Sequence, residues 1–152
     1  MSLNSHQVQL IQASFSQVEP IADKAAAIFY AKLFEYDPSL KRLFKQDMTS
    51  QGRKLMSTLK VAVQGLDDLG KLVPVLQKLA VGHVKYGVSV DDYTPVGNAL
   101  MYTLKTGLGP AFTLETKEAW STLYKTVSTV MREAAYPNFD ARTYRNTKSY
   151  NH

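Results

Sequence analysis

The sequence predicts an all-α domain, and three observations predict it. Apolar residues recur three and four apart in seven successive segments. No run alternates apolar and polar residues as a half-buried strand does. The connections are short and carry Pro, Gly or Asp, the residues that stop or restart helices.

The first helix is expected from about Ser5 to Gln17, with Val8, Ile11, Phe15 and Val18 as its inward stripe. Pro20 restarts the chain. From Ile21 to Tyr36 the residues Ile21, Ala25, Ile28, Phe29, Leu33 and Phe34 form a broad apolar face, and Ala25 to Ala27 permit a close helix crossing. Tyr30 lies inside this run, so its buried hydroxyl needs a partner. Asp37 and Pro38 read as the cap and first residue of a short helix through Leu43, followed by an irregular corner from Phe44 to Thr49 with Phe44 inward.

Thr49 or Ser50 begins the next helix, which runs to about Leu66. The pairs Gln51/Leu55, Leu55/Leu59 and Leu59/Val63 are each four apart, so Gln51 sets a polar group at the entrance of an apolar stripe. Asp67, Asp68 and Gly70 mark a loop, and Pro74 opens the following helix. In that helix Val75 or Leu76, Leu79 and Gly82 or His83 share the inward face. Gly87 breaks it. Asp91 or Asp92 can cap a helix with Pro95 in its first turn, running through Val96, Leu100, Met101 and Leu104 to Leu108. Gly109-Pro110 ends it. Thr113 caps the last helix, Glu115 and Glu118 suit its positive end, and Trp120, Leu123, Tyr124, Val127, Val130 and Met131 face the core before Pro137.

A lone inward histidine is ordinarily a hydrogen-bonded core residue, so His83 needs support from the rest of the chain. Upstream stand Leu33-Phe34-x-x-Asp37-Pro38-x-Leu40-x-x-Leu43-Phe44 and Ser50-Gln51-x-Arg53-Lys54-Leu55-Met56, and downstream Ala119-Trp120-x-x-Leu123-Tyr124. In this order and spacing around Phe44, Gln51, His83 and Tyr93, the chain resembles the globin family over roughly residues 6 to 136. Within that family it looks most like the bacterial single-domain globins and the haem domain of flavohaemoglobins. The resemblance implies a three-over-three helical sandwich binding haem b without covalent attachment.

The roles of individual residues follow from the same resemblance. His83 matches the proximal iron ligand, Phe44 the aromatic wedged against the ring, Tyr30 the distal donor, and Gln51 with Leu55 the ligand-pocket pair. Lys54, or Arg53 beside it, is a candidate partner for a haem propionate, and Tyr93 should approach the proximal side. No histidine occupies the distal position; Gln51 stands there. In the bacterial relatives a glutamate on the last helix completes a His-Tyr-Glu network. Counted from Tyr124 the matching residue here is Ala135, and Glu133 is about 200° away around a regular helix. The carboxylate link is therefore expected to be missing, leaving His83 held by a backbone carbonyl.

Composition narrows the classes further. At 152 residues and 45% hydrophobic the chain suits one domain with a real core, expected over 1–137, with a polar, flexible tail over 138–152. The absence of cysteine removes disulfides, thiolate nucleophiles and haem-thiolate ligation. Eighteen Lys and Arg against 13 Asp and Glu give +5, but the basic residues are dispersed, so neither nucleic acid nor a membrane is an expected partner. The opening residues lack a signal-peptide pattern, making the cytoplasm the expected location.

The expected function is haem-dependent reversible oxygen binding. Nitric oxide dioxygenation is open to it when a separate reductase supplies electrons, because the chain ends before the reductase modules that flavohaemoglobins carry. The alternatives are a peroxidase-like haem enzyme, a gas sensor or oxygen store without turnover, and a haem-free helical signalling domain of the same fold. The oligomeric state is not set by the sequence.

Overall fold

The computed structural model describes residues 3–44, 47–85, 89–136, 139–140 and 142–144. Among them lie six α-helices: α1 Ser5–Val18, α2 Ala22–Tyr36, α3 Met48–Gln64, α4 Leu69–Lys85, α5 Tyr93–Leu108 and α6 Leu114–Ala135. No described residue is in a strand. The break expected at Gly87, Pro137 and most of the polar tail lie outside the described residues, as do two residues of the corner after Phe44.

The short helix expected from Pro38 to Leu43, the third of the seven segments, is a 3₁₀ turn. Its hydrogen bonds close three residues apart, Leu40 N–H to Asp37 O at 3.1 Å and Phe44 N–H to Lys41 O at 3.2 Å. Asp37 caps it as expected, its side chain accepting from Ser39 N–H at 3.1 Å. Ile21, expected on the apolar face of α2, instead ends the 3₁₀ turn Glu19–Ile21 and is exposed, because that turn lies out of register with the helix.

Three helix starts also differ from expectation. Asp47 caps α3, accepting from Thr49 and Ser50 N–H at 3.4 and 3.3 Å. Pro74 lies inside α4 rather than at its start; Asp68 O accepts from Lys71 and Leu72 N–H at 3.2 and 3.3 Å, so the helix is under way before the proline. The proline therefore forgoes one helical hydrogen bond, and the expected loop at Gly70 is the first turn of α4. Before α5, Asp92 holds the N-cap position, but its side chain makes no capping bond to α5; it accepts instead from Ser89 N–H in a capping box around the 3₁₀ turn Val90–Asp92.

Helices α1, α3 and α4 pack over α2, α5 and α6, the predicted three-over-three arrangement: α3 crosses α2, and both α1 and α4 run against α6. At the α2–α3 crossing a Cβ on Gly52 would come within 2.9 Å of Ala26 Cβ, so the glycine and the small face of α2 set the approach together. Trp120 Nε1 donates to Ser14 Oγ at 2.8 Å, tying α6 to α1 through a buried polar pair.

The buried residues form two clusters, whereas a single contiguous core is usual for one domain. The larger is built on Ile11, Phe15, Phe29, Leu33, Leu100, Leu104, Trp120 and Leu123 and contains Tyr30. The smaller joins Leu72, Leu76 and Ala80 of α4 to Tyr93 and Met131. Helices α3 and α4 make little direct contact. No helix among the described residues is long and apolar enough to cross a membrane.

Candidate functional site

On the α2–α3 side, Tyr30 is buried, edge-on to Phe29 and Phe44 with ring centroids 5.0 and 5.2 Å away. Phe34 closes the group, 5.4 Å from Phe44. Gln51 Nε2 donates to Tyr30 Oη at 3.3 Å. Burial pushes the Tyr30 phenol above its ordinary value, and the Gln51 hydrogen bond offsets this in part. Tyr30 therefore stays protonated, and because its oxygen already accepts from Gln51, its O–H is the group left to donate. Leu55 follows one helical turn after Gln51, half-buried, and lines with Phe29, Met56, Leu59 and Leu100 a small internal void.

Of the two basic residues beside Gln51, Arg53 reaches Asp23 at 3.9 Å in a surface ion pair of little energetic weight. The side chain of Lys54 is exposed.

On the α4–α6 side, His83 is half-buried and its Nδ1 lies 2.8 Å from Leu79 O. That carbonyl can only accept, so Nδ1 carries the proton and the lone pair belongs to Nε2. Tyr93, the first residue of α5, is buried, and its Oη has no hydrogen-bond partner among the described residues. Burial holds its phenol well above the usual range. Tyr124 Oη donates to the Tyr93 carbonyl at 2.5 Å. Glu133 is exposed, while Ala135 packs against the smaller cluster, as the helical count implies.

The structure thus sets Phe44 and Gln51 against Tyr30, with Leu55 packed on the same larger cluster, and places Tyr93 in the smaller cluster, to which His83 is joined through the Leu79 carbonyl. The bond from Tyr124 and the packing of Arg132 over the Tyr93 ring, 5.4 Å from its centroid, were not anticipated from the sequence. Tyr124 was placed on the inward stripe of α6, which is the signal available for it; Arg132 gave none.

A profile of the Globin family matches residues 27–131, from α2 to the last turns of α6. The chain belongs to the globin family. It is 32% identical over 118 residues to neuroglobin of Danio rerio, covering 68% of this chain and 74% of that protein. Against neuroglobin of Tetraodon nigroviridis the identity is 32% over 139 residues, 82% and 87% of the two chains. Against neuroglobin of Chaenocephalus aceratus it is 30% over 145 residues, 86% and 91% of the two chains. The narrower likeness to bacterial globins rests on the residue motifs alone.

Globins bind haem, and the residues of this chain fit such a group. Among the described residues no cluster of three or more His, Asp or Glu could hold a metal ion. A single histidine suffices only for a metal whose remaining ligands come from elsewhere, as they do in a porphyrin. Leu55, Met56 and Leu59 on α3 and Leu79 on α4 are apolar yet only half-buried, and α3 and α4 make little direct contact among the described residues. Those surfaces suit a flat apolar macrocycle. The orphaned Tyr93 Oη is a donor suited to an acceptor that such a group would bring.

Proposed function

We propose that this globin binds haem b through His83 and uses it to bind dioxygen reversibly. The observation that carries the reading is the division of the core: Leu79, whose carbonyl meets His83 Nδ1, packs on the smaller cluster, and Tyr30, bonded by Gln51, lies in the larger. When bound, haem would supply an iron able to take up a diatomic gas. His83 presents Nε2 as the ligand atom while Leu79 O holds its Nδ1–H, fixing tautomer and ring orientation. Tyr30 and Gln51 would supply O–H and N–H donors to a bound gas, favouring a ligand with partial negative charge. Phe44 and Leu55 exclude water around those donors. Lys54, exposed on α3, is the candidate partner for a propionate.

Nitric oxide dioxygenation belongs to the same reading when a separate reductase supplies electrons. The peroxidase-like alternative is less well supported. A carbonyl acceptor on Nδ1 gives less electron donation than a carboxylate, and Glu133 is exposed rather than turned to this side. Absorption spectra of the purified protein, oxidised, reduced and carbon monoxide-bound, test the proposal. Haem bands that shift on reduction and again with the gas are expected. A protein that neither carries nor takes up haem would leave the helical signalling alternative.

A further inference from the structure

The 3₁₀ turn Val90–Asp92, which leads from α4 towards α5, carries two buried carboxylates, Asp91 and Asp92, at 7% and 4% exposure. Burying a carboxylate is costly unless it is hydrogen-bonded or paired. Asp92 Oδ2 accepts from Ser89 N–H at 2.8 Å within the turn itself. Asp91 Oδ1 instead accepts from Tyr144 Oη at 2.5 Å, a residue 53 positions further along the chain. Burial and the bond to Asp91 push the Tyr144 phenol up to about 12, so it remains a donor at ordinary pH.

Arg132 sits between these parts. Its guanidinium lies 5.4 Å from the Tyr93 ring centroid and 4.6 Å from that of Tyr144, with Phe139 at 6.0 Å. Its Nη2 donates to Thr94 Oγ1 at 3.4 Å. A planar cation can face several rings at once, which an ammonium does poorly. Tyr93 in turn shares a cluster with Leu76 and Ala80 of α4, and Ala80 is three residues from His83. The turn before α5 is thus connected by packing to the helix that carries the histidine.

We propose that Arg132 and Tyr144 are positioning residues for the His83 side: they fasten the turn before α5 so that Tyr93, and through it α4, holds the histidine at a fixed setting towards haem. The proposal rests on the haem reading of His83. Its test uses the haem-loaded protein with Tyr144→Phe, Arg132→Met and Arg132→Lys. The readouts are the iron–histidine stretch of the ferrous protein by resonance Raman, the rate of haem transfer to apomyoglobin, and the melting temperature of each variant.

Y144F and R132M should lower or broaden the stretch and speed haem loss about tenfold, the scale set by losing one hydrogen bond to a charged group. R132K, which keeps the charge without the plane, should fall between R132M and the parent. Asp91→Asn combined with Y144F should be less than additive in haem-loss rate, since the two residues are the ends of one bond. An unchanged stretch and haem-loss rate in Y144F and R132M, with haem still lost on His83→Ala, would overturn the proposal and leave the haem reading intact. A lowered melting temperature without a change in the stretch would also overturn it, reducing these residues to general stabilisers. A parent protein without haem would overturn both.

Discussion

The Tyr30 and His83 sides of the molecule are built differently. The Tyr30 side is compact in sequence: its hydrogen bond spans 21 residues, and its aromatic partners Phe29, Phe34 and Phe44 all lie in α2 or just beyond it. The His83 side is assembled from distant parts, with bonds spanning 31, 38 and 53 residues that bring α6 and the chain beyond it back to the start of α5. Neighbouring helices with inward aromatic residues settle the first. The second depends on where the last helix docks, so its polar contacts follow from tertiary packing rather than local pattern.

Perturbing the two sides separately sharpens the contrast. The largest effect is expected on the Tyr30 side and in ligand kinetics. Tyr30→Phe should raise the oxygen dissociation rate about tenfold to a hundredfold, because a hydrogen bond to a partly charged ligand is worth roughly 1.5–3 kcal/mol. Stopped-flow displacement measures it; an unchanged rate would pass the role to Gln51 or remove it.

On the His83 side the expected cost falls on stability. A Cβ on Gly97 would lie 2.5 Å from the Tyr124 ring, so Gly97→Ala must displace the phenol that bonds Tyr93 O. Overpacking of this kind costs about 1–3 kcal/mol, readable by urea denaturation. Gly82→Ala on α4 is the control: nothing stands within 4 Å of its Cβ, and the substitution should be neutral or stabilise by about 0.5–1 kcal/mol. Equal losses from both would mean that the tight α5–α6 approach is not what matters.

A smaller effect is expected in the pH dependence. Burial raises the phenols of Tyr30, Tyr93 and Tyr124 in the folded state. The folded protein then holds these protons more tightly than the unfolded chain. Their stabilising contribution is complete below the ordinary tyrosine value of about 10 and is lost as pH rises above it. Denaturation midpoints should fall across that range, less steeply in Tyr124→Phe than in the parent. Smallest of all, Glu133→Gln should leave the iron–histidine stretch unchanged. A lowered frequency would return a carboxylate to the His83 side and bring the peroxidase-like reading forward.

What the sequence shows and hides follows the same division. Helix periods, the Asp37 and Thr113 caps and the Gly109 stop were legible because each is a local physical preference. Pro74 misled, because a proline can be accommodated inside a helix whose first turn is already fixed by Asp68. Pro38–Leu43 has a helix-like opening, but six residues closed by three-residue hydrogen bonds stay 3₁₀. The partner of Tyr30 could be anticipated as a need and not as a residue; packing α3 across α2 at Gly52 supplies Gln51. Arg132 reads as one more dispersed base until Tyr93, Phe139 and Tyr144 are seen around it.

The central claim is that one haem joins the two sides through His83. Titrating haem into the haem-free protein and into His83→Ala, followed by the Soret absorbance, tests it most directly. A sharp break at one haem per chain is expected for the parent, and weak or no uptake by the variant unless imidazole is added. An identical break and an identical spectrum in the variant would contradict it.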